Sequence, residues 1–127
     1  MATPVETLLL AQVASLATAG AWQNLTLGGS YSASGGTPQI RREGNRAFFS
    51  GGISGTFTTG TLFTVPAGFA PAMNGSTWLV FDLLSDVVGD YGKRLTVRVD
   101  SSGTCTIFVA TSVPTMVHLD TINWPLT

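Results

Sequence analysis

At 127 residues the chain has the size of one domain with room for a modest core. Six Lys and Arg stand against seven Asp and Glu, and a net charge of −1 excludes a broad electrostatic footprint for nucleic acid. Only 10% of residues are charged and mean hydropathy is +0.33, yet no window supplies the ~20 apolar residues of a membrane helix. Soluble domains average ~25% charged residues. Part of this uncharged surface is therefore expected to lie against other copies of the chain, with plain solvation of Thr, Ser and Gly as the alternative.

Residues Leu8 to Ala21 are apolar, and Ala17-Thr18-Ala19 has the look of a signal-peptidase site. The basic segment that should precede such a leader is missing, and Glu6 stands in its place. The segment reads instead as a helix over residues 1–20. Thr3 is its N-cap, Pro4 lies in its first turn and Gly20 is its stop. Leu9, Val13 and Leu16 are spaced like a short coiled-coil seam. Two heptads are too few to stand alone, so this helix either docks on its own domain or forms a trimerisation stub.

From Trp22 onward the helical period disappears and residues 21–127 read as one β domain. The predicted strands are Trp22–Leu27, Gln39–Arg42, Arg46–Ile53, Thr61–Val65, Trp78–Leu84, Arg94–Val99, Thr104–Ala110 and Met116–Trp124. Turn chemistry separates them at Gly28-Gly29-Ser30, Ser34-Gly35-Gly36, Glu43-Gly44-Asn45, Gly68 to Pro71, Asn74-Gly75 and Gly89 to Gly92. Within Pro66 to Pro71, Gly68 is the residue free to take a positive φ. The clearest hairpin runs from Leu95 to Val109. Leu95, Val97 and Val99 share one face, Thr96 and Arg98 the other, and Cys105, Ile107 and Val109 repeat the inward register. Short strands with no helix between them predict an antiparallel sandwich, jelly-roll-like.

Reactive groups are sparse. The lone Cys105 excludes an intrachain disulfide and reads as a small buried hydrophobe. The lone His118 shares a strand face with Asp120, but no Gly-x-Ser-x-Gly elbow accompanies the pair, so a structural or interface histidine is expected. Asp82, Asp86 and Asp90 form the one carboxylate cluster. It reads as loop solvation and turn capping, with a calcium site or a catalytic pair as lesser alternatives. One Cys and one His cannot hold zinc, and no phosphate-binding loop is present. No enzyme, metal or cofactor is expected.

Candidate ligand contacts are therefore amphipathic or cationic. Tyr91, next to Asp90 in a Gly-flanked loop, is the foremost candidate. Trp78, Tyr31 and Trp124 could also turn a ring toward a sugar. Arg41, Arg42 and Arg46 could meet an anionic group, or could pair locally with acids such as Glu43. The set expected at a binding site is Tyr91, Asp90, Trp78 and Arg42. Phe48, Phe49, Phe57, Phe63, Phe81 and Phe108 are expected in the core or at a subunit interface.

Taken in order, Trp22…Leu25-Thr-Leu, Pro38-Gln-Ile-Arg41-Arg42, Ala47-Phe-Phe-Ser-Gly-Gly-Ile53, Val65-Pro-Ala-Gly-Phe-Ala-Pro71 and Val117-His-Leu-Asp120-Thr-Ile122-Asn-Trp124 resemble the C-terminal domain of bacteriophage tail fibre and minor tail proteins. The resemblance spans about residues 22–124. It departs from that family's pattern at Val65 for Leu, Phe69 for Tyr, Ala70 for Arg and Thr121 for Gly. It implies a homotrimeric β-sandwich at the tip of a phage tail. Other tail proteins and a bacterial surface receptor, such as a glycan, would be its partners, with neither nucleic acid nor membrane insertion involved. The same pattern would serve a purely structural tip that trimerises without touching a receptor. A depolymerase fragment would need carboxylates clustered in one cleft, and a secreted sugar-binding module would need cleavage after Ala19 or Ala21.

Overall fold

The computed structural model describes residues 20–109 and 112–126. The helix expected over residues 1–20, with its role as a trimerisation stub, lies outside the described residues apart from Gly20. Among the described residues the chain forms strands β1 (Gln23–Asn24), β2 (Thr26–Leu27), β3 (Ser32–Ala33), β4 (Gln39–Glu43), β5 (Arg46–Ser50), β6 (Gly52–Ser54), β7 (Gly60–Thr64), β8 (Leu79–Leu84), β9 (Arg94–Val99), β10 (Thr104–Val109), β11 (Met116–His118) and β12 (Asn123–Pro125). They assemble into three antiparallel sheets, ordered β1-β4-β5-β12, β2-β7-β10-β9-β8 and β11-β6-β3. The architecture is the expected all-β sandwich.

Three predicted strands are each cut in two, and each cut carries the chain from one sheet to another. Trp22–Leu27 divides at Leu25. β1 then pairs with β4, while β2 pairs with β7 in the second sheet. The Leu25 amide donates to the Pro38 carbonyl at 3.1 Å and its side chain enters the core. Arg46–Ile53 divides at Gly51, and Met116–Trp124 divides at the turn around Asp120. Such corners let one strand serve two layers. Alternation continues through them, so the sequence shows a single run. β3 was not predicted, because two residues among Ser and Gly carry no period.

Gly51 makes its corner with φ +91°, and a Cβ there would lie 2.2 Å from the Thr37 carbonyl oxygen. The Gly51 carbonyl accepts from the Leu119 amide at 2.9 Å, which joins two of the corners. The turn after β7 closes through the Phe69 amide onto the Pro66 carbonyl, with Gly68 at φ +90° as a type II turn requires.

The core lies between the first two sheets. Ile40, Ala47, Phe49 and Trp124 face Phe63, Leu83, Leu95, Val97, Val99, Cys105 and Ile107. Phe49 packs on Phe63 at 5.6 Å between ring centroids and edge-to-face on Trp124 at 4.7 Å. Burial of each such side chain is worth ~1.5–3 kcal/mol. In the β9–β10 hairpin Leu95, Val97, Val99, Cys105 and Ile107 are buried as predicted, and a bulge between Ile107 and Val109 pairs the Val109 backbone with Thr96.

Candidate binding surface

β8 is an edge strand of the second sheet, and its sequence does not alternate as an edge strand should. Phe81 and Leu83 turn toward the core. On the other face Val80 lies opposite Arg98, Asp82 opposite Thr96 and Leu84 opposite Arg94. Val80 and Leu84 are exposed apolar residues on that outer face. Asp82 between them accepts from the Thr96 hydroxyl at 2.6 Å and pairs with Arg94 at 3.5 Å. At the start of the strand, the Arg98 guanidinium lies 4.0 Å from the Trp78 ring centroid and 5.4 Å from that of Phe108. Phe108, expected in the core or at an interface, projects onto this outer face. Phe49, Phe57 and Phe63 are buried, while Phe48 and Phe81 are half-buried.

The loop after β8 explains how Tyr91 becomes available. A 3₁₀ turn over Val88–Asp90 directs Asp90 inward, where it is 2% exposed. Its carboxylate accepts from the Ser85 hydroxyl at 2.8 Å, the Thr115 amide at 2.9 Å and the Thr115 hydroxyl at 2.7 Å. Burial alone would push this carboxyl up. The hydrogen bonds from Thr115 and Ser85, with Lys93 nearby, outweigh it and hold the group below the usual carboxylate value. Asp90 is therefore corrected from a ligand contact to an internal bracket tying the loop to the segment before β11. Its neighbours point the other way: Val88 is 75% exposed and Tyr91 70%.

The other expected contacts are dispersed. Arg42 lies in the first sheet, where its Nε donates to the Gly44 carbonyl at 2.8 Å and an Nη to Asn45 at 3.4 Å, so it braces its own hairpin turn. Trp78 immediately precedes the six-residue β8, whereas Tyr91 lies in the loop beyond its other end. Trp124 is buried and donates from Nε1 to the Phe69 carbonyl at 2.9 Å. Tyr31 packs on Phe57 at 5.3 Å. Trp124 therefore offers no ring to a ligand, and Tyr31 is half-buried against Phe57.

The titratable groups are likewise separated. His118 pairs with Asp86 at 3.1 Å, not with Asp120 two residues along its own segment. Asp82, Asp86 and Asp90 each have different partners and do not form one site. Among the described residues no three His, Cys, Asp or Glu gather so as to hold a metal ion. Burial pushes the Cys105 thiol far up, away from the reactive thiolate.

The surface that emerges combines Trp78, Val80, Leu84, Arg98 and Phe108 on the outer face with Val87, Val88 and Tyr91 on the adjoining loop. Sequence reasoning singled out Trp78 and Tyr91 but missed Arg98 and the apolar outer positions. The available signal was the β8 run itself, which stays apolar at positions 80 and 84 where an edge strand normally turns polar.

No protein-family model matches the chain, and no curated protein does. Among solved structures it is similar to the crystal structure of the receptor binding protein (gp15) of Listeria phage PSA, with a TM-score of 0.67 and 20% sequence identity. The match covers 98% of this chain and 80% of that one. The described residues thus share the fold of a phage receptor binding protein.

Proposed function

We propose that this chain is a phage tail adhesin that attaches the virion to a bacterial surface receptor without covalent chemistry. The observation carrying this reading is the fold shared, over 98% of the chain, with a phage receptor binding protein. Its place is the virion, at the tail tip beside other tail proteins. Residues 21–127 form the receptor-binding domain and residues 1–20 the trimerisation stub. Binding fits the chemistry of the described residues better than catalysis: the thiol is buried, the imidazole is paired on the surface and the carboxylates are apart.

The receptor class we propose is a surface glycan, met by Tyr91 on its presented loop and by the Trp78 end of β8. A phenol ring packs on the apolar face of a sugar while its hydroxyl bonds to the sugar's own. The assembly we propose is a homotrimer. It would cover part of the exposed apolar strip on β8 and its loop, which a charge-poor chain otherwise leaves in water. Three weak sites on one particle gain about 10²–10⁴ in avidity over one.

Fluorescently labelled protein, incubated with a panel of bacterial strains and with phage as competitor, tests the reading. Strain-selective labelling that competes with adsorption is expected, and Tyr91→Ala should weaken it while leaving the unfolding midpoint unchanged. A stable trimer by light scattering that labels no strain would instead assign the chain a structural tip role. A monomer at all concentrations would remove the multivalent mechanism.

A further inference from the structure

Among the described residues, four of the five arginines have their guanidinium groups committed to the protein. Arg41 pairs with Glu43, Arg42 braces Gly44 and Asn45, Arg46 holds Asn123 with bonds of 3.2 and 2.6 Å, and Arg94 pairs with Asp82. Arg98 is different in one respect: no described acid pairs with it, whereas its buried, unpaired Nε is a feature it shares with Arg41, which also stacks on a ring, that of Trp22, at 4.6 Å. Its plane is held against Trp78 at 4.0 Å and near Phe108 at 5.4 Å. The cross-strand neighbours on its face are Val80 and Thr106, neither of them charged. The residue is partly buried, and of its guanidinium nitrogens only Nε is buried without a partner, which leaves the Nη end as the part open to solvent.

A guanidinium in this setting has a specific use. Stacking fixes the plane and lowers the entropy lost on binding, and the two Nη groups remain as a fork that matches a phosphate or carboxylate. An apolar surround weakens competition from water. We propose that Arg98, clamped by Trp78 and Phe108, binds an oxyanion on the receptor polymer, either a phosphodiester or a uronate carboxylate. The proposal rests on the adhesin reading and names the chemical class of the ligand. It also relocates the anionic contact away from Arg42.

The test uses the full chain and two immobilised polyanions, poly(glycerol phosphate) and polygalacturonate, with dextran as the neutral control, at low and high salt. The wild type should bind one of the two charged polymers, which identifies the source of the oxyanion, and should bind it less at high salt. Arg98→Gln should weaken that binding by about tenfold or more. Arg98→Lys should fall between, because it keeps the charge but loses the planar fork. Arg94→Gln should bind like the wild type, since its guanidinium is already paired. Thermal unfolding checks that each variant is folded, and if Arg98→Gln is not, Arg98→Lys decides.

Three results would overturn the proposal: Arg98→Gln binding like the wild type, Arg94→Gln losing as much, or neither polyanion binding better than dextran. If cells are labelled but polyanion binding does not depend on Arg98, the oxyanion site fails and the adhesin reading stands. If Arg98-dependent polyanion binding occurs but no strain is labelled, the site stands and the adhesin reading fails.

Discussion

Gly51→Ala is the sharpest test of the corner geometry. The substitution incurs two separate costs. An L-residue at φ +91° is strained by about 1–3 kcal/mol. The new methyl would also lie 2.2 Å from the Thr37 carbonyl oxygen and 2.5 Å from its carbon, so backbone, not a pliable side chain, must move. Overpacking of this kind costs a further ~1–3 kcal/mol. Gly68 isolates the first cost, because its φ is +90° and nothing lies within 4 Å of an added Cβ. Gly68→Ala should therefore destabilise by about 1–3 kcal/mol and Gly51→Ala by about 2–6 kcal/mol, against a total stability of ~5–15 kcal/mol. For a chain of this length each kcal/mol moves the thermal midpoint by about 3–5 °C. Urea and thermal unfolding at matched protein concentration, which cancels any contribution from association, give the comparison. Equal losses for the two variants would refute the close approach of Thr37 to the corner, and with it the account of how β5 passes into β6.

Trp124→Phe should cost roughly 2–4 kcal/mol, from the cavity left by the smaller ring and from the Phe69 carbonyl losing its donor; an unchanged urea midpoint would contradict the buried hydrogen bond. The Asp90 carboxyl is held below its ordinary value in the folded protein, so the native state binds fewer protons than the unfolded one in acid. The resulting stabilisation is full above the unfolded carboxylate range, near pH 4, and is lost as pH falls through the folded value. Asp90→Asn should therefore flatten the acid limb of the stability profile, whereas an unaltered limb would assign it to other groups such as Asp100, which is also held low. Cys105 should resist a thiol reagent in the native protein and react in step with unfolding as urea rises. Rapid native labelling would contradict its burial.

Local features of the chain determined the β class, the turns and the inward faces. Period-2 alternation places Leu95, Val97, Val99, Cys105 and Ile107 on one side whatever the strands pair with. The turns at Gly44-Asn45 and Gly68 follow from backbone freedom that a few neighbouring residues specify. Only the tertiary structure decided where runs such as Arg46–Ile53 pass from one sheet to the next, because alternation continues through a corner and the carbonyl that makes glycine necessary there, that of Thr37, lies fourteen residues away. It also decided the fate of the polar groups. Asp90 turns inward because Ser85 and Thr115 supply its donors, and His118 meets Asp86 because β11 is brought beside that loop. Trp124 loses its place as a surface ring to a carbonyl 55 residues away. These are long-range pairings, set by how the sheets stack, and no window of neighbouring residues encodes them.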